Sequence, residues 1–118
     1  MKQAPLALRI RLLEGKEIAI GPGKAELLQW VQETGSISEA ARRMNMSYMR
    51  AWNLIQTMNG CFHSPVVATE RGGHLRGGAS LTATGSELLR LYLQMEAECQ
   101  AATVPSREAI EKLRAKAG

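Results

Sequence analysis

Residues 36–52, SISEAARRMNMSYMRAW, decide the fold. Ser36 can cap a helix that ends near Asn45, the non-glycine residue most tolerant of the left-handed backbone of a tight turn. Ser47 then caps a following helix. Because Ala40-Ala41 would let the two helices cross steeply, the stretch predicts a helix-turn-helix. An ordinary αα-hairpin of a helical bundle is the structural alternative.

The preceding residues predict a hairpin and one more helix. LALRIRL, residues 6–12, alternates apolar and polar side chains as a half-buried strand does. Glu14-Gly15 can turn the chain so that residues 17–20 return as a second strand. KAELLQWVQET, residues 24–34, has helical spacing of its apolar residues, and Gly35 is a plausible stop.

The residues that follow predict a wing. VVATE at 66–70 and ASLT at 79–82 read as strands, and RGGHLRGG at 71–78 lies between them. A glycine-rich basic tip between two strands can follow a phosphate backbone. The tip lacks the GK[ST] ending of a P-loop and the strand-then-helix context of a dinucleotide fingerprint.

A long helix is predicted from Thr82 to about Ala102, and Pro105 is expected to end it. Its apolar stripe is wider than contact with a small body requires, which points to the same helix of a second copy. The expected dimer-interface residues are Leu88, Leu91, Tyr92, Met95 and Cys99. We therefore predict a winged helix-turn-helix domain over residues 1–103 with a dimerisation helix at 82–102. The tail, 104–118, is either a short basic amphipathic helix or frayed. The fold class is mainly α with a small β component (α+β).

The composition limits the classes of protein to which this chain can belong. The 118 residues suffice for one domain, and 45% hydrophobic content is too high for a disordered chain. Large multi-domain enzymes are excluded.

No stretch is apolar enough to span a membrane, and arginines interrupt the region where a signal peptide would be apolar. Two cysteines make no disulfide framework, so we expect a soluble cytoplasmic protein.

Positive charge is concentrated in one segment. Residues 40–80 contain five arginines and one glutamate, whereas the remaining residues balance to zero. Arginine suits phosphate oxygens and guanine edges, so this segregation favours nucleic-acid binding.

Candidate DNA-binding residues follow from the helix-turn-helix. Recognition helices contact bases with their N-terminal residues, where Arg50 could pair with guanine and Asn53 with adenine. Tyr48 and Ser47 are better placed for phosphates. Trp52 flanks the core arc, and packing is favoured over base stacking. The complete set is Ser36, Arg43, Ser47, Tyr48, Arg50, Asn53, Arg71, Gly72, Gly73, His74 and Arg76.

Some of these assignments have alternatives. Arg42 and Arg43 can contact phosphate, or one of them can pair with Glu39. The wing arginines are expected at the DNA backbone or minor groove, while His74 is equally compatible with an exposed loop histidine that has no task. Cys61 and His63 have no second pair at ligand spacing, so no metal site is predicted. No catalytic constellation is present either, and an enzyme and a cofactor are not expected.

The sequence resembles a known family. TGSISEAARRMNMSYMRAW, MNGCFHSPVV and RGGHLRGGASLTATGSELLRLY, within residues 24–95, resemble the DNA-binding N-terminal domain of ModE-type molybdenum-responsive regulators. That domain is similar to the N-terminal domain of LysR-type regulators. The resemblance implies a homodimer on a two-fold-symmetric operator that controls molybdate uptake or molybdenum enzymes.

One departure from the family concerns the effector. Full-length regulators of this type have C-terminal molybdate-binding domains, for which 118 residues leave no room. We therefore expect no tight molybdate site in this chain, and a separate effector-binding protein is a possible partner. A winged-helix adaptor that binds protein instead of double-stranded DNA is the functional alternative.

Overall fold

The computed structural model describes residues 4–70 and 78–115. Five helices and four short strands follow one another in these ranges. They are β1 (Leu12–Glu14), β2 (Glu17–Ile20), α1 (Pro22–Thr34), α2 (Ile37–Arg43), α3 (Tyr48–Cys61), β3 (Val67–Thr69), β4 (Ala79–Leu81), α4 (Ala83–Ala102) and α5 (Val104–Glu111). Strands β1 and β2 form one antiparallel pair, and β3 and β4 form another.

The helix ends form where the sequence places them. The hydroxyls of Ser36, Ser47 and Thr82 each accept the backbone N–H three residues on, at 3.0, 3.1 and 2.9 Å. These caps satisfy N–H groups that a helix start leaves without a partner. Gly35 ends α1 with φ 70°, and Asn45 takes φ 56° in the turn between α2 and α3. The predicted helix-turn-helix is confirmed.

The core lies where α1, α2, α3 and α4 meet. Ala40 and Ala41 are 0% and 2% exposed, which lets α2 approach its neighbours closely. The largest fully buried side chains come from β2, α1, α3 and the residue just before β3, and burial of each contributes roughly 1.5–3 kcal/mol. They are Ile20, Leu27, Leu28, Val31, Ile55, Met58 and Val66.

Strands β3 and β4 are attached to the helices by specific hydrogen bonds. The Asn59 side chain, near the end of α3, accepts the Val66 N–H at 2.8 Å. The Ala79 N–H donates to the carbonyl of Gly35 at 2.9 Å, which ties β4 to the junction between α1 and α2. Gly85 lies so close to β3 that a Cβ there would be 2.0 Å from the Val66 carbonyl oxygen. The base of the wing is therefore fixed to the body.

The N-terminal strand begins later than predicted. Residues 6–11 form no ladder; instead the segment 4–11, which we call the N-terminal strap, lies along α4 and α5. The Tyr92 hydroxyl donates to the Ile10 carbonyl at 2.8 Å, and the Leu6 N–H donates to the Glu111 carboxylate at 2.6 Å. Strand β2 has four residues and pairs only with residues 12–14, so the strap is held by hydrogen bonds to the helices instead of by a strand partner.

The C-terminal prediction needs a second correction. Helix α4 ends at Ala102, and Pro105 lies in the first turn of α5, where its missing N–H costs no hydrogen bond. The tail is helical up to Glu111, and the Arg114 guanidinium donates to the Ala4 carbonyl at 2.6 Å. The helical alternative therefore holds for residues 104–111.

Candidate nucleic-acid interface

Helix α3 turns one face inward and presents the other to solvent. Ala51, Ile55 and Met58 are at most 1% exposed and form the inward face. Tyr48 and Met49, in the first turn, are 46% and 58% exposed. The first turn of α3 is therefore accessible to a partner.

Arg50 and Asn53 are exposed on this helix, as predicted. Within residues 4–70 and 78–115, neither the Arg50 guanidinium nor the Asn53 amide has a hydrogen-bond partner. The helix sequence YMRAWNLIQTMNGC contains no carboxylate. An arginine and an amide are thus available on a surface that an anionic partner can approach.

Tyr48 and Trp52 stack on one another beside this surface. Their ring centroids are 6.3 Å apart, with an interplanar angle of 16°. Trp52 is half-buried and packs against the core, so its predicted packing role is confirmed. Tyr48 is the more exposed member of this pair, and its contact with a phosphate remains a prediction.

A cationic depression of about 220 Å³ lies on the other side of α3. Arg11, Lys24 and Arg50 contribute to its wall together with the start of α1, and its lining includes no carboxylate. Lys24 is 7% exposed and donates to the Ile18 carbonyl. Burial lowers the pKa of Lys24 because desolvation disfavours the ammonium form, whereas Arg11 and Arg50 are exposed at this depression.

The arginines of α2 have neighbours within the chain. Arg42 makes a two-pronged pair with Glu39, at 2.8 and 3.1 Å, which lowers the pKa of that carboxyl. The Glu39 carboxylate therefore faces Arg42, and the Ser36 N–H donates to the Thr34 hydroxyl at 3.3 Å instead of to that carboxylate. Arg43 lies over the Trp30 ring at 4.9 Å and remains exposed.

The two predicted serines act as helix caps. Ser36 is half-buried, and its hydroxyl accepts the Glu39 N–H. Ser47 caps the recognition helix and is exposed. A DNA contact is therefore a stronger prediction for Ser47 than for Ser36. Arg71, Gly72, Gly73, His74 and Arg76 lie outside the described residues.

The predicted dimer stripe on α4 divides into two parts. Tyr92 is 2% exposed because the chain's own strap covers it, so its assignment to a dimer interface is wrong. Leu91 is 47% exposed, and Leu88 and Met95 are partly buried against the core. Cys99 is half-buried. The stripe that remains for a partner is Leu88, Leu91, Met95 and Cys99.

No group of three or more His, Cys, Asp or Glu side chains that could hold a metal ion occurs in residues 4–70 and 78–115. Burial and the nearby Glu14 carboxylate raise the pKa of Cys61, which makes it a poor thiolate. None of the described helices is long and apolar enough to cross a membrane.

The sequence is similar to several curated regulators. It is 41% identical over 86 residues to the molybdenum-pterin-binding protein MopB of Rhodobacter capsulatus, covering 73% of this chain and 32% of that protein. It is 34% identical over 96 residues to the transcriptional regulator ModE of Haemophilus influenzae, covering 81% and 37%. The chain is a homologue of the N-terminal region of ModE-type regulators.

This ModE homologue spans about a third of the length of the curated relatives it matches. Another relative is the DNA-binding transcriptional dual regulator ModE of Escherichia coli, 34% identical over 90 residues, covering 76% of this chain and 34% of that protein. No protein-family model matches the chain.

Solved structures show the same fold. The complex of CbnR_DBD with DNA aligns with a TM-score of 0.57 at 22% identity, covering 75% of this chain and 95% of that one. Full-length CbnR complexed with its target DNA aligns with a TM-score of 0.55 at 21% identity, covering 72% and 28%. The ModE homologue is thus a winged helix, as predicted.

Sequence reasoning missed two residues of this surface in the ModE homologue. Arg11 was predicted on the polar face of a strand, and it instead helps to line the depression beside α3. Met49 is 58% exposed on the same helix, and no role is assigned to it from the sequence. The sequence does indicate the position of Met49, because it lies four residues before Asn53 and therefore on the same helix face.

Proposed function

We propose that the chain is the DNA-binding part of a transcription regulator of the ModE type. The observation that carries the proposal is the accessible first turn of α3, where Arg50 and Asn53 are exposed and free of carboxylate neighbours on their helix. In a winged helix, this helix enters the major groove with its N-terminal residues toward the bases. Homology to proteins named transcriptional regulators supports the same function.

The proposed contacts divide between bases and phosphates. Arg50 pairs with guanine and Asn53 with adenine, because their donors and acceptors match those base edges. Ser47, Tyr48 and Arg43 contact phosphates beside the groove, and Arg11 adds a cation from the other side of α3. The wing residues predicted from sequence, Arg71, Gly72, Gly73, His74 and Arg76, contact the backbone or the minor groove.

The regulator acts as a homodimer on a two-fold-symmetric operator. The remaining apolar stripe of α4 supports this part of the proposal, since Leu91 is half exposed in the single chain. Two identical recognition helices related by a two-fold axis read two inverted half-sites. The chain would act in the cytoplasm, where such operators lie.

The regulated genes concern molybdate uptake or molybdenum enzymes. The names of the relatives support this, since they include a molybdenum transport protein ModE from Azotobacter vinelandii. No effector site is proposed within this chain. A separate effector-binding protein is a proposed partner, and no enzymatic activity is proposed.

The test is binding to duplex DNA from the chain's own upstream region at two salt concentrations. Arg50→Ala should weaken binding about ten- to a hundred-fold and relax the preference at one base pair, because a bidentate guanine contact is lost. Arg90→Ala is the matched control, since Arg90 is an exposed arginine of α4 already paired with Glu87. It should leave affinity and preference unchanged.

Two outcomes would contradict the proposal. If the wild-type chain binds no duplex more tightly than a scrambled one, it is not a sequence-specific regulator, and the protein-binding adaptor becomes the better interpretation. If Arg50→Ala and Arg90→Ala weaken binding equally, the DNA surface does not include the first turn of α3.

A further inference from the structure

An apolar side chain stands in the middle of the proposed recognition surface. Met49 is 58% exposed, more than Tyr48 beside it. At 100° per residue, Met49, Asn53 and Gln56 lie within a narrow arc, opposite Ala51, Ile55 and Met58. Met49 is therefore central to the outward face of α3.

Met49 is not part of the core. Of the methionines in residues 4–70 and 78–115, Met58 is buried, and Met44, Met46 and Met95 are packed against the core cluster. Met49 belongs to neither group. The exposed thioether contributes little burial free energy in the free chain. A partner that covers it would gain that free energy.

The surroundings of Met49 define that partner. Arg50 follows it directly, and α3 carries no carboxylate, so the surface suits an anionic ligand. Yet the ligand must also offer an apolar group at the centre of the contact. In duplex DNA the base edges of the major groove offer one such group, the C5 methyl of thymine.

Asn53, on the same face as Met49, also suits an A·T pair. It lies one turn after Met49 on the same face, and an asparagine amide matches the N6/N7 edge of adenine. Adenine pairs with thymine, so a site that satisfies Asn53 also brings a thymine methyl group into the groove. A thioether and an amide side by side thus suit adjacent A·T pairs.

We propose that Met49 contacts a thymine methyl group and thereby specifies an A·T pair in each half-site. This rests on the proposed function. The residue determines specificity through apolar contact, whereas Asn53 does so through hydrogen bonds. Its contribution should therefore depend on the methyl group and not on the hydrogen-bonding pattern of the base pair.

The experiment replaces thymine by uracil. The probe is the tightest duplex that the wild-type chain selects from a random pool, with each thymine of one half-site changed to uracil in turn. Uracil keeps the pairing edge and the O4 acceptor and lacks the methyl group alone. Burial of one carbon predicts about fourfold weaker wild-type binding at one position.

Variants assign the effect to Met49. Met49→Ala should bind the thymine and uracil duplexes equally, whereas Met49→Leu should keep the discrimination because it keeps an apolar side chain of similar size. Gln56→Ala, an exposed residue on the same face, should also keep it. Circular dichroism should be unchanged in all three, since none of these side chains is buried.

Distinct results would overturn the inference. If the wild type tolerates uracil at every position, no methyl group is read. If Met49→Ala binds the uracil duplex more weakly than the thymine duplex, as the wild type does, a residue other than Met49 contacts the methyl group. In both cases specific, salt-sensitive binding leaves the proposed function intact. Absence of specific binding to any duplex would instead contradict the proposed function and this inference with it.

Discussion

Single residues set the distances between elements in this fold, and Gly85 is the sharpest case. It lies in the first turn of α4 where the helix approaches β3, and it is buried. Gly60, near the end of α3, is also helical but faces open space, since nothing lies within 4 Å of a Cβ built there. The same substitution should therefore have opposite effects at the two glycines.

Gly85→Ala should destabilise the fold, and Gly60→Ala should not. A Cβ at Gly85 would lie 2.0 Å from the Val66 carbonyl oxygen, which belongs to backbone and cannot yield cheaply. We expect overpacking to cost about 1–3 kcal/mol, more than the roughly 1 kcal/mol by which alanine favours a helix. Gly60→Ala should stabilise slightly. Urea unfolding of both variants measures this, and equal changes would contradict it.

At the scale of elements, the start of the N-terminal strap is held by exposed hydrogen bonds. Its amide at Leu6 donates to Glu111, and Arg114 pairs with the same carboxylate at 2.9 Å. These two donors, the Leu6 amide first, lower the pKa of Glu111 below its ordinary value. The ionised form is thus the one that holds the strap.

Loss of the Glu111 charge should release the start of the strap. A carboxyl with a lowered folded-state pKa stabilises above its unfolded-state pKa, about 4.3, and the contribution disappears as the pH falls through the folded-state value. At neutral pH, Glu111→Ala should therefore reduce the protection of the Leu6 amide in hydrogen exchange. Glu108→Ala, on the same helix, is the control. Unchanged Leu6 protection in Glu111→Ala would show that other contacts hold the strap.

The strap also shows where sequence reasoning stops. The caps at Ser36, Ser47 and Thr82 and the turn at Asn45 could be predicted because each depends on residues within a few positions. The partners of the alternating segment lie 82 to 105 residues away on α4 and α5, and period two does not distinguish a strand neighbour from a helix surface. Tyr92 was misassigned for the same reason. An apolar stripe predicts that its side chains are buried, but it does not tell whether the same chain or a second copy buries them.

Most of the surface could nevertheless be located. Arg50 and Asn53 are exposed on α3 because the core arc of that helix was correctly placed. The pairing of Arg42 with Glu39 was among the alternatives weighed, whereas the approach of Arg43 to Trp30 was not foreseen, because it joins two helices. Arg11 reached the site through tertiary folding alone.

The whole molecule is elongated, at 56 × 31 × 25 Å with a radius of gyration of 17.2 Å. A compact chain of this length would have about 13–14 Å. Several large apolar side chains of α4, of α5 and of the residues just after α5 are exposed in the single chain. They are Leu91, Leu93, Val104, Ile110 and Leu113.

The proposed dimer can be tested on one helix. Leu91→Glu combined with Met95→Glu should give monomers and weaken operator binding greatly, because it places two charges in the apolar stripe. Leu93→Glu, on another face of α4, should leave the dimer intact. Light scattering decides between these outcomes. A wild-type mass near 12.9 kDa at micromolar concentration would contradict the dimer itself.

The bond between Ala79 and Gly35 has a consequence for association. It joins β4 to the corner from which the helix-turn-helix departs, so the wing base and α3 reach a duplex as one body. The loss of translational and rotational freedom, of the order of 4–15 kcal/mol, is then incurred once for both surfaces. In the proposed complex, once α3 has entered its groove, the wing would meet the neighbouring phosphates at a high effective concentration without further search.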